Sequence, residues 1–282
     1  MTGTVALVTY AGEPALTADD RRLQDALASR GANARAVNWD ADEAWDRFDA
    51  VIIRSPWDYY KRYEEFSSWL DGLEARGARV YNPVPLLRWN STKAYLRQLD
   101  EAGIVVPPTA WIARGEQVSL PRLMRERHWE TVVVKPTISA TAYHTYRIGP
   151  QVTDEDQAKV DGLTASRDVM IQPYLDEVAT AGELSLLFFN GTFSHAVLKR
   201  PRSGDFRVQT DFGGSVEPVK PSPQIIREAA RVLAAAPAPT LYARVDGCIV
   251  GGHFMLMELE AVEPCLFFNY DEGAADRMAA CL

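Results

Sequence analysis

Residues 244–260 read Arg244-Val245-Asp246-Gly247-Cys248-Ile249-Val250-Gly251-Gly252-His253-Phe254-Met255-Leu256-Met257-Glu258-Leu259-Glu260. Two apolar runs flank a Gly-Gly pair, which predicts strands over Leu241–Val250 and His253–Leu259, antiparallel if Gly251-Gly252 is the hairpin turn. Side chains two apart on a strand share a face, so Glu258 and Glu260 stand together, and Asp246 joins them from the neighbouring strand. Like charges this close repel and need a cation between them or a shared proton. Three hard oxygen donors suit Mg²⁺, which fills its remaining positions with water and substrate phosphate. An alternating solvated strand face gives the same pattern, but the apolar Phe254, Leu256, Leu259 and Val262 around the acids argue against it.

Outward from this hairpin the same antiparallel grammar extends back to residue 131. Thr131–Lys135, Val169–Gln172, Leu184–Phe189 and Thr192–Lys199 read as strands, with Phe189-Asn190-Gly191-Thr192 a hairpin of the Asn-Gly kind. Pro223–Ala236 is the one good helix of this half. Before it, Ser91–Ala102 reads as a helix, Ala110–Ala113 as a strand and Pro121–Arg127 as a short helix. The first ~90 residues differ: strands Thr4–Tyr10, Ala34–Trp39, Ala50–Arg54 and Arg79–Tyr81 alternate with helices Asp19–Arg30 and Tyr63–Ala75. That β-α-β alternation implies a small open parallel sheet. The predicted fold class is therefore α/β followed by α+β, with a boundary near residue 90.

The 282 residues are 47% apolar and 24% charged, an ordinary globular composition. Lys plus Arg total 30 against 38 for Asp plus Glu, a net −8 without basic runs, which disfavours nucleic acid and anionic membranes as partners. No apolar stretch approaches the ~20 residues of a membrane helix. The first residues form a strand-like run without the basic region of a signal peptide. Cys248, Cys265 and Cys281 show neither metal spacing nor a disulfide framework. These features point to a cytoplasmic protein and leave homo-oligomerisation open.

Further groups carry chemistry. Lys135 ends a buried strand, where its charge is costly without an anion such as polyphosphate; Lys93, on the predicted 91–102 helix, is a second such cation or a surface lysine. In Gln172-Pro173-Tyr174-Leu175, Pro173 must leave the sheet, freeing backbone groups near Tyr174 and Leu175 for a planar ligand edge. Glu183, beginning the next strand, suits ribose hydroxyls. Arg54-Ser55-Pro56-Trp57-Asp58-Tyr59 follows the carboxyl end of a parallel strand, where such sheets bind ligands. Arg54, Trp57 and Tyr59 are therefore substrate-facing candidates, the alternative being a capped turn in which Arg54 pairs with Asp58 or Asp49. His195 lies in an apolar strand and reads as a core histidine.

The ordered set Lys93, Val132–Pro136, Gln172–Leu175, Gly182-Glu183, Phe206–Gln209 with Gly213-Gly214, Arg244–Asp246 and Glu258–Glu260 resembles the ATP-grasp superfamily, nearest its glutathione synthetase-like and ribosomal S6 modification enzyme-like ligases. The resemblance spans essentially the whole chain. Arg54–Tyr59, Asn82-Pro83, Arg88–Asn90 and Ser194–Lys199 narrow it to the branch of O-ureidoserine cyclo-ligase-like enzymes. It implies an ATP-grasp fold: an α/β substrate domain over 1–90 and two ATP-clamping α+β subdomains, a lid over 91–172 and a catalytic one over 173–282. It also implies an ATP-dependent carbon–nitrogen ligase that makes an acyl phosphate on an amino-acid-like substrate. A nitrogen then captures it, by ring closure or from a second molecule. A catalytically inactive ATP-binding regulatory module is the rival, and retention of Asp246, Glu258 and Glu260 argues against it.

By the same resemblance, ATP and two Mg²⁺ (or Mn²⁺) are the cofactors, the metals held by Asp246, Glu258 and Glu260. Lys93 and Lys135 hold phosphates, Gln172, Tyr174 and Leu175 line adenine, and Glu183 holds ribose. Lys199, Arg207, Gln209 and Arg244 face the γ-phosphate and acyl phosphate. The loop after Pro136 departs from the family in lacking glycines, so the Ser139 and Thr141 hydroxyls are the substitutes for backbone phosphate contacts there.

Overall fold

The computed structural model describes residues 3–139, 142–202, 205, 207–208 and 212–282. Strand β1 (Thr4–Thr9) is buried from Val5 onward, with Val5 and Leu7 in one core and Ala6 and Val8 in the other. A strand apolar on both faces needs cover on both, and α1 (Ala18–Ser29) and α2 (Tyr63–Ala75) supply it. The Thr17 hydroxyl caps α1 by accepting from Asp20 N at 2.9 Å, and Gly31, at φ +84°, closes it. With β2 (Asn33–Asn38), β3 (Ala50–Ile53) and β4 (Val80–Tyr81) the sheet runs β2-β1-β3-β4, all parallel, as predicted.

Next come α3 (Val84–Asn90), which the sequence did not predict, and α4 (Tyr95–Glu101), which is all that forms of the helix expected over 91–102. The Lys93 N–H bonds Thr137 O at 2.7 Å rather than a helical carbonyl, so the helix breaks there and Lys93 sits in the turn. The second sheet, β5-β8-β6-β7, is antiparallel: β5 (Ala110–Ile112), β6 (Val132–Pro136), β7 (Tyr146–Ile148) and β8 (Val169–Pro173). Helices α5 (Leu120–Arg127) and α6 (Asp154–Thr164) close its core with Leu120, Met124, Val160 and Leu163.

After α7 (Asp176–Thr180) the third sheet is β11-β10-β9-β12-β13, fully antiparallel. Its strands are β9 (Glu183–Phe189), β10 (Thr192–Arg200), β11 (Ser215–Val219), β12 (Tyr242–Val250) and β13 (His253–Glu260), and α8 (Pro223–Ala234) packs on one face. Asn190 and Gly191, at φ +46° and +74°, make the expected tight hairpin. The chain returns through α9 (Ala274–Ala279) to α1.

Pro223–Ala236 is thus not the one good helix after residue 131. α6 buries only Val160, Leu163 and Thr164 along a polar sequence and shows no apolar stripe, while α7 and α9 are single short turns. Two stretches also pack outside the spans that sequence order suggests. Tyr95, Leu96 and Leu99 of α4 join the core under the third sheet. Leu266, Phe268, Ala274 and Met278 join Val5, Leu7 and Leu23 of the first domain, together with Phe189 and Tyr242 of the third sheet.

Candidate active site

A cleft of about 430 Å³ opens between the second and third sheets and ends against the 57–59 loop of the first domain. On β6, Val132, Val134 and Pro136 point into the core, so strand alternation turns Val133 and Lys135 to the cleft. On β13 a bulge does the equivalent work. Asp246 pairs with Glu258 but Gly247 with Leu256, so Met257 is the extra residue. Phe254 and Leu256 face the core before the bulge and Leu259 after it, which sends both Glu258 and Glu260 into the cleft. Gly247 sits opposite because a Cβ there would lie 2.3 Å from Met255 O and 2.5 Å from the Phe254 ring.

β13 is an edge strand, and side chains satisfy its outer backbone. The Tyr95 hydroxyl accepts from Leu259 N (2.8 Å) and donates to Leu259 O (2.9 Å). Asn90 accepts from Ala261 N at 2.6 Å and donates to Leu259 O at 2.8 Å. Asn82 does the same beyond the strand, donating to Tyr242 O (2.9 Å) and Ala261 O (2.7 Å). The Asn82 and Asn90 of the sequence phrases are therefore braces for the carboxylate strand.

Of the predicted site residues, the cleft collects Lys93, Lys135, Ser139, Gln172, Tyr174, Leu175, Glu183, Lys199, Arg207, Arg244, Asp246, Glu258, Glu260, Trp57 and Tyr59. Gln209 and Thr141 lie outside the described residues. Arg54 does not reach the cleft. It is 1% exposed, donating to Asp20 Oδ1 (2.8 Å) and Pro264 O (2.8 Å). Its expected substrate role is corrected to a buried structural pair, and the partner is Asp20 of α1 rather than Asp58 or Asp49.

Three other expectations change in detail. The Tyr174 N–H donates to Thr131 O at 2.8 Å, so Tyr174 offers a ligand its carbonyl and not its amide. The Ser139 hydroxyl leans on Pro136 O (3.4 Å), while its carbonyl accepts from Lys93 Nζ (2.8 Å). Glu183 is ion-paired to Lys199, so its carboxylate is already engaged on one side.

The charges form two groups. Arg244 and Asp246, two apart on β12, share a face, and the guanidinium grips the carboxylate at 3.0–3.1 Å while also pairing with Glu260. Lys199 Nζ reaches Asp246 at 3.0 Å and Ser185 donates to it at 2.7 Å. Burial would raise Asp246, but Arg244 and Lys199 outweigh it and hold the acid at about 2. In the other group Lys93 pairs with Glu258 at 2.9 Å, and it and Lys135 outweigh burial to keep Glu258 ionised. Lys135 has no ion pair among the described residues; burial lowers its pKa and Glu258 offsets this only in part.

Asp246 is thus held by Arg244 and Lys199 while lining the same cleft as Glu258 and Glu260, the other two acids of the metal set expected from sequence. Among the described residues no three His, Cys, Asp or Glu gather as a metal cluster. Glu258 and Glu260 do fit a divalent ion as two hard oxygen donors sharing a strand face, with its other positions left to water and phosphate. Burial pushes Glu260 up to about 8, Asp246 and Glu258 adding to it against Arg244, which marks this end of the cleft as short of positive charge.

One acid here was missed in the sequence. Glu263 lines the cleft with the Tyr59 hydroxyl near it, and is pushed up to about 7 by burial. The only signal was another acid just past Glu260. Because Glu260 and Glu263 hold protons in the folded chain that the unfolded chain releases near 4.5, stability should fall as pH rises from about 5 to 8. Melting temperature across that range should drop more steeply for the wild type than for Glu260→Gln or Glu263→Gln. Parallel curves would contradict the assignment.

A lid sheet and a carboxylate-bearing antiparallel sheet, clamped over lysines after a parallel domain, define an ATP-grasp ligase. The chain belongs to the ATP-grasp ligase family that contains the cycloserine biosynthesis protein DcsG of Streptomyces lavendulae: it is 32% identical to that protein over 297 residues, 99% of this chain and 98% of the relative. Residues 5–82 match the family described as D-cycloserine synthetase DcsG, N-terminal domain. The crystal structure of D-cycloserine synthetase DcsG superposes with a TM-score of 0.90 at 30% identity, covering 99% of this chain and 98% of that one. A glutathione synthetase of Ralstonia nicotianae is 27% identical over 78% of this chain and 65% of its own length. The ATP-grasp ligase PsnB, solved with a phosphomimetic variant of its minimal precursor, Mg and ADP, shares the fold at a TM-score of 0.67 and 16% identity, over 98% of each chain. Among the described residues no helix is long and apolar enough to cross a membrane.

Proposed function

We propose that the chain phosphorylates the carboxylate of a ureido-bearing amino acid with ATP. The substrate's own ureido nitrogen then displaces phosphate, closing a cycloserine-type ring. The observation that carries this is the similarity to D-cycloserine synthetase over 99% of the chain, lid sheet and carboxylate strand included. In the first step the γ-phosphoryl of ATP passes to a carboxylate oxygen and ADP leaves. In the second the ureido nitrogen bonded to oxygen forms the N–C bond and gives up its proton as the C–O bond to phosphate breaks, phosphate carrying off that carboxylate oxygen. Water then removes the carbamoyl group from the ring nitrogen as carbon dioxide and ammonia.

Lys135 and Lys93 hold phosphates, Lys135 being a cleft lysine without an ion pair among the described residues. Gln172, the Tyr174 carbonyl and Leu175 border adenine, and Glu183, restrained by Lys199, borders ribose. Lys199, Arg207 and Arg244 face the transferred phosphoryl, and Trp57 and Tyr59 the substrate. Glu258 and Glu260 would hold Mg²⁺, which would supply neutralisation of phosphate charge. The chain's own contribution is positioning and electrostatic stabilisation in a buried cleft.

The test is phosphate release against a panel of amino acids and ureido-amino acids, with and without added amine. Ring closure requires release with a ureido-amino acid alone. Strict dependence on added amine would make the enzyme an intermolecular ligase, and no release with any member would overturn the reading. ATP with Mg²⁺ should also raise the melting temperature by mass action. Lys135→Ala should abolish most of that shift while Lys61→Ala, an exposed lysine, retains it. Equal shifts in the two variants would remove Lys135 from the phosphate site.

A further inference from the structure

Past β13 the backbone is bolted in place from several sides. Trp57 Nε1 donates to Glu263 O (3.2 Å), Arg54 Nη2 to Pro264 O (2.8 Å) and Arg244 Nη1 to Cys265 O (3.1 Å), and Asp19 accepts from Leu266 N and Phe268 N at 3.0 and 2.7 Å. The fixed backbone presents the half-buried Glu263 carboxylate to the cleft. It shares that cleft with Tyr59, whose neutral hydroxyl lies near it, and among the described residues no ion pair holds it. A carboxyl in a half-buried wall that no ion pair holds, with Lys93 and Arg244 acting on it only from a distance, is driven by burial toward its protonated form, and a cation brought against it restores its charge. The adjoining rings of Trp57 and Tyr59 line the same cleft, and aromatic faces beside a carboxylate favour an organic cation over a hydrated metal ion.

We propose that Glu263, in the cleft wall beside Tyr59, is the subsite for the protonated amino group of an α-amino acid substrate. This rests on the ligase reading above and adds its selectivity: the enzyme distinguishes an amino acid from the same acid without its amine. The Arg54–Asp20 pair then acts at one remove, by anchoring the segment that carries Glu263.

The experiment compares O-ureidoserine with 3-(ureidooxy)propanoate, identical but for the amine, by ADP release from the full chain with ATP and Mg²⁺. The wild type should favour the amine-bearing compound in kcat/KM by on the order of 10–100-fold, the range of a hydrogen bond to a charged group. In Glu263→Gln the ratio should collapse to within a few-fold through KM, with the ATP-induced thermal shift unchanged. Should that variant not fold, Tyr59→Phe, which removes only the hydroxyl, should lower the same ratio. An undiminished ratio in the folded variant overturns the subsite, as does an unchanged ratio with a raised Mg²⁺ requirement, which would make Glu263 a metal ligand. Stabilisation by serine but not 3-hydroxypropanoate, measured with ATP and Mg²⁺ and lost in Glu263→Gln, scores the subsite without turnover. If that pattern holds while neither ureido compound releases ADP, ring closure fails and the subsite stands; stabilisation by neither probe overturns the subsite.

Discussion

Glu258→Gln and Glu260→Gln should each lower ADP formation by at least about 10²–10³-fold, the range for losing one preorganised electrostatic contact to a transition state. Both substitutions keep volume and remove charge. The backbone of their strand is held by Tyr95 and Asn90 side chains that neither change touches, so the folded structure should persist. The two variants should differ in their background. Glu258→Gln leaves Lys93 bound to the Ser139 carbonyl, whereas Glu260→Gln releases only the second carboxylate of Arg244, which stays clamped to Asp246. Both should weaken the Mg²⁺ dependence of ATP-induced stabilisation. Near-wild-type turnover in either would end its assignment as a metal ligand. Asp246→Asn should behave otherwise, because it strands Arg244 and Lys199 in a buried site and so costs stability as well as activity.

Arg54→Met should destabilise the fold by about 3–5 kcal/mol, the cost of leaving one partner of a buried ion pair unmatched. Asp20, 1% exposed, would keep a buried charge without a counter-ion. Pro264 O would lose its donor, and the Tyr242 ring its cation at 5.0 Å. Combining the change with Asp20→Asn should restore much of the loss, since replacing both charges removes the stranded one. ATP affinity of the folded fraction should stay within a few-fold of wild type. Melting temperatures of the two single variants and the double variant, read with ATP affinity on the same preparations, check this. Unchanged stability with a large rise in substrate KM would return Arg54 to the substrate site.

The contrast between these residues shows what a linear reading can reach. Strand alternation and a Gly-Gly hairpin correctly put Asp246 on the strand beside Glu258 and Glu260, because both depend on local geometry. The parallel sheet was legible for a similar reason, since runs such as Val5–Val8 are apolar on both faces. The bulge at Met257 was not, although it alone reconciles core-facing Phe254 and Leu256 with cleft-facing Glu258 and Glu260. Long-range partners were also hidden: Asp20 lies 34 residues from Arg54, and Lys93 N gives its bond to Thr137 rather than to its own helix. The cations around Asp246 were hidden only in part. Arg244, two residues away on the same face, holds its carboxylate, and Lys199 reaches it from a strand 47 residues away in sequence, a partner no local pattern shows.

The shared core of the first domain and the third sheet has a consequence during biosynthesis. Val5, Leu7 and Leu23 complete their packing only against Phe189, Tyr242, Leu266, Phe268 and Met278. At ~5–20 residues per second of translation, roughly 10–40 s separate synthesis of the parallel sheet from arrival of its last core residues. Throughout that interval the nascent α1 face stays open to water, and the first 90 residues cannot reach their final packing on their own. Release before residue 266 would leave that surface exposed for good, turning a late truncation into an aggregation hazard at the opposite end of the polypeptide.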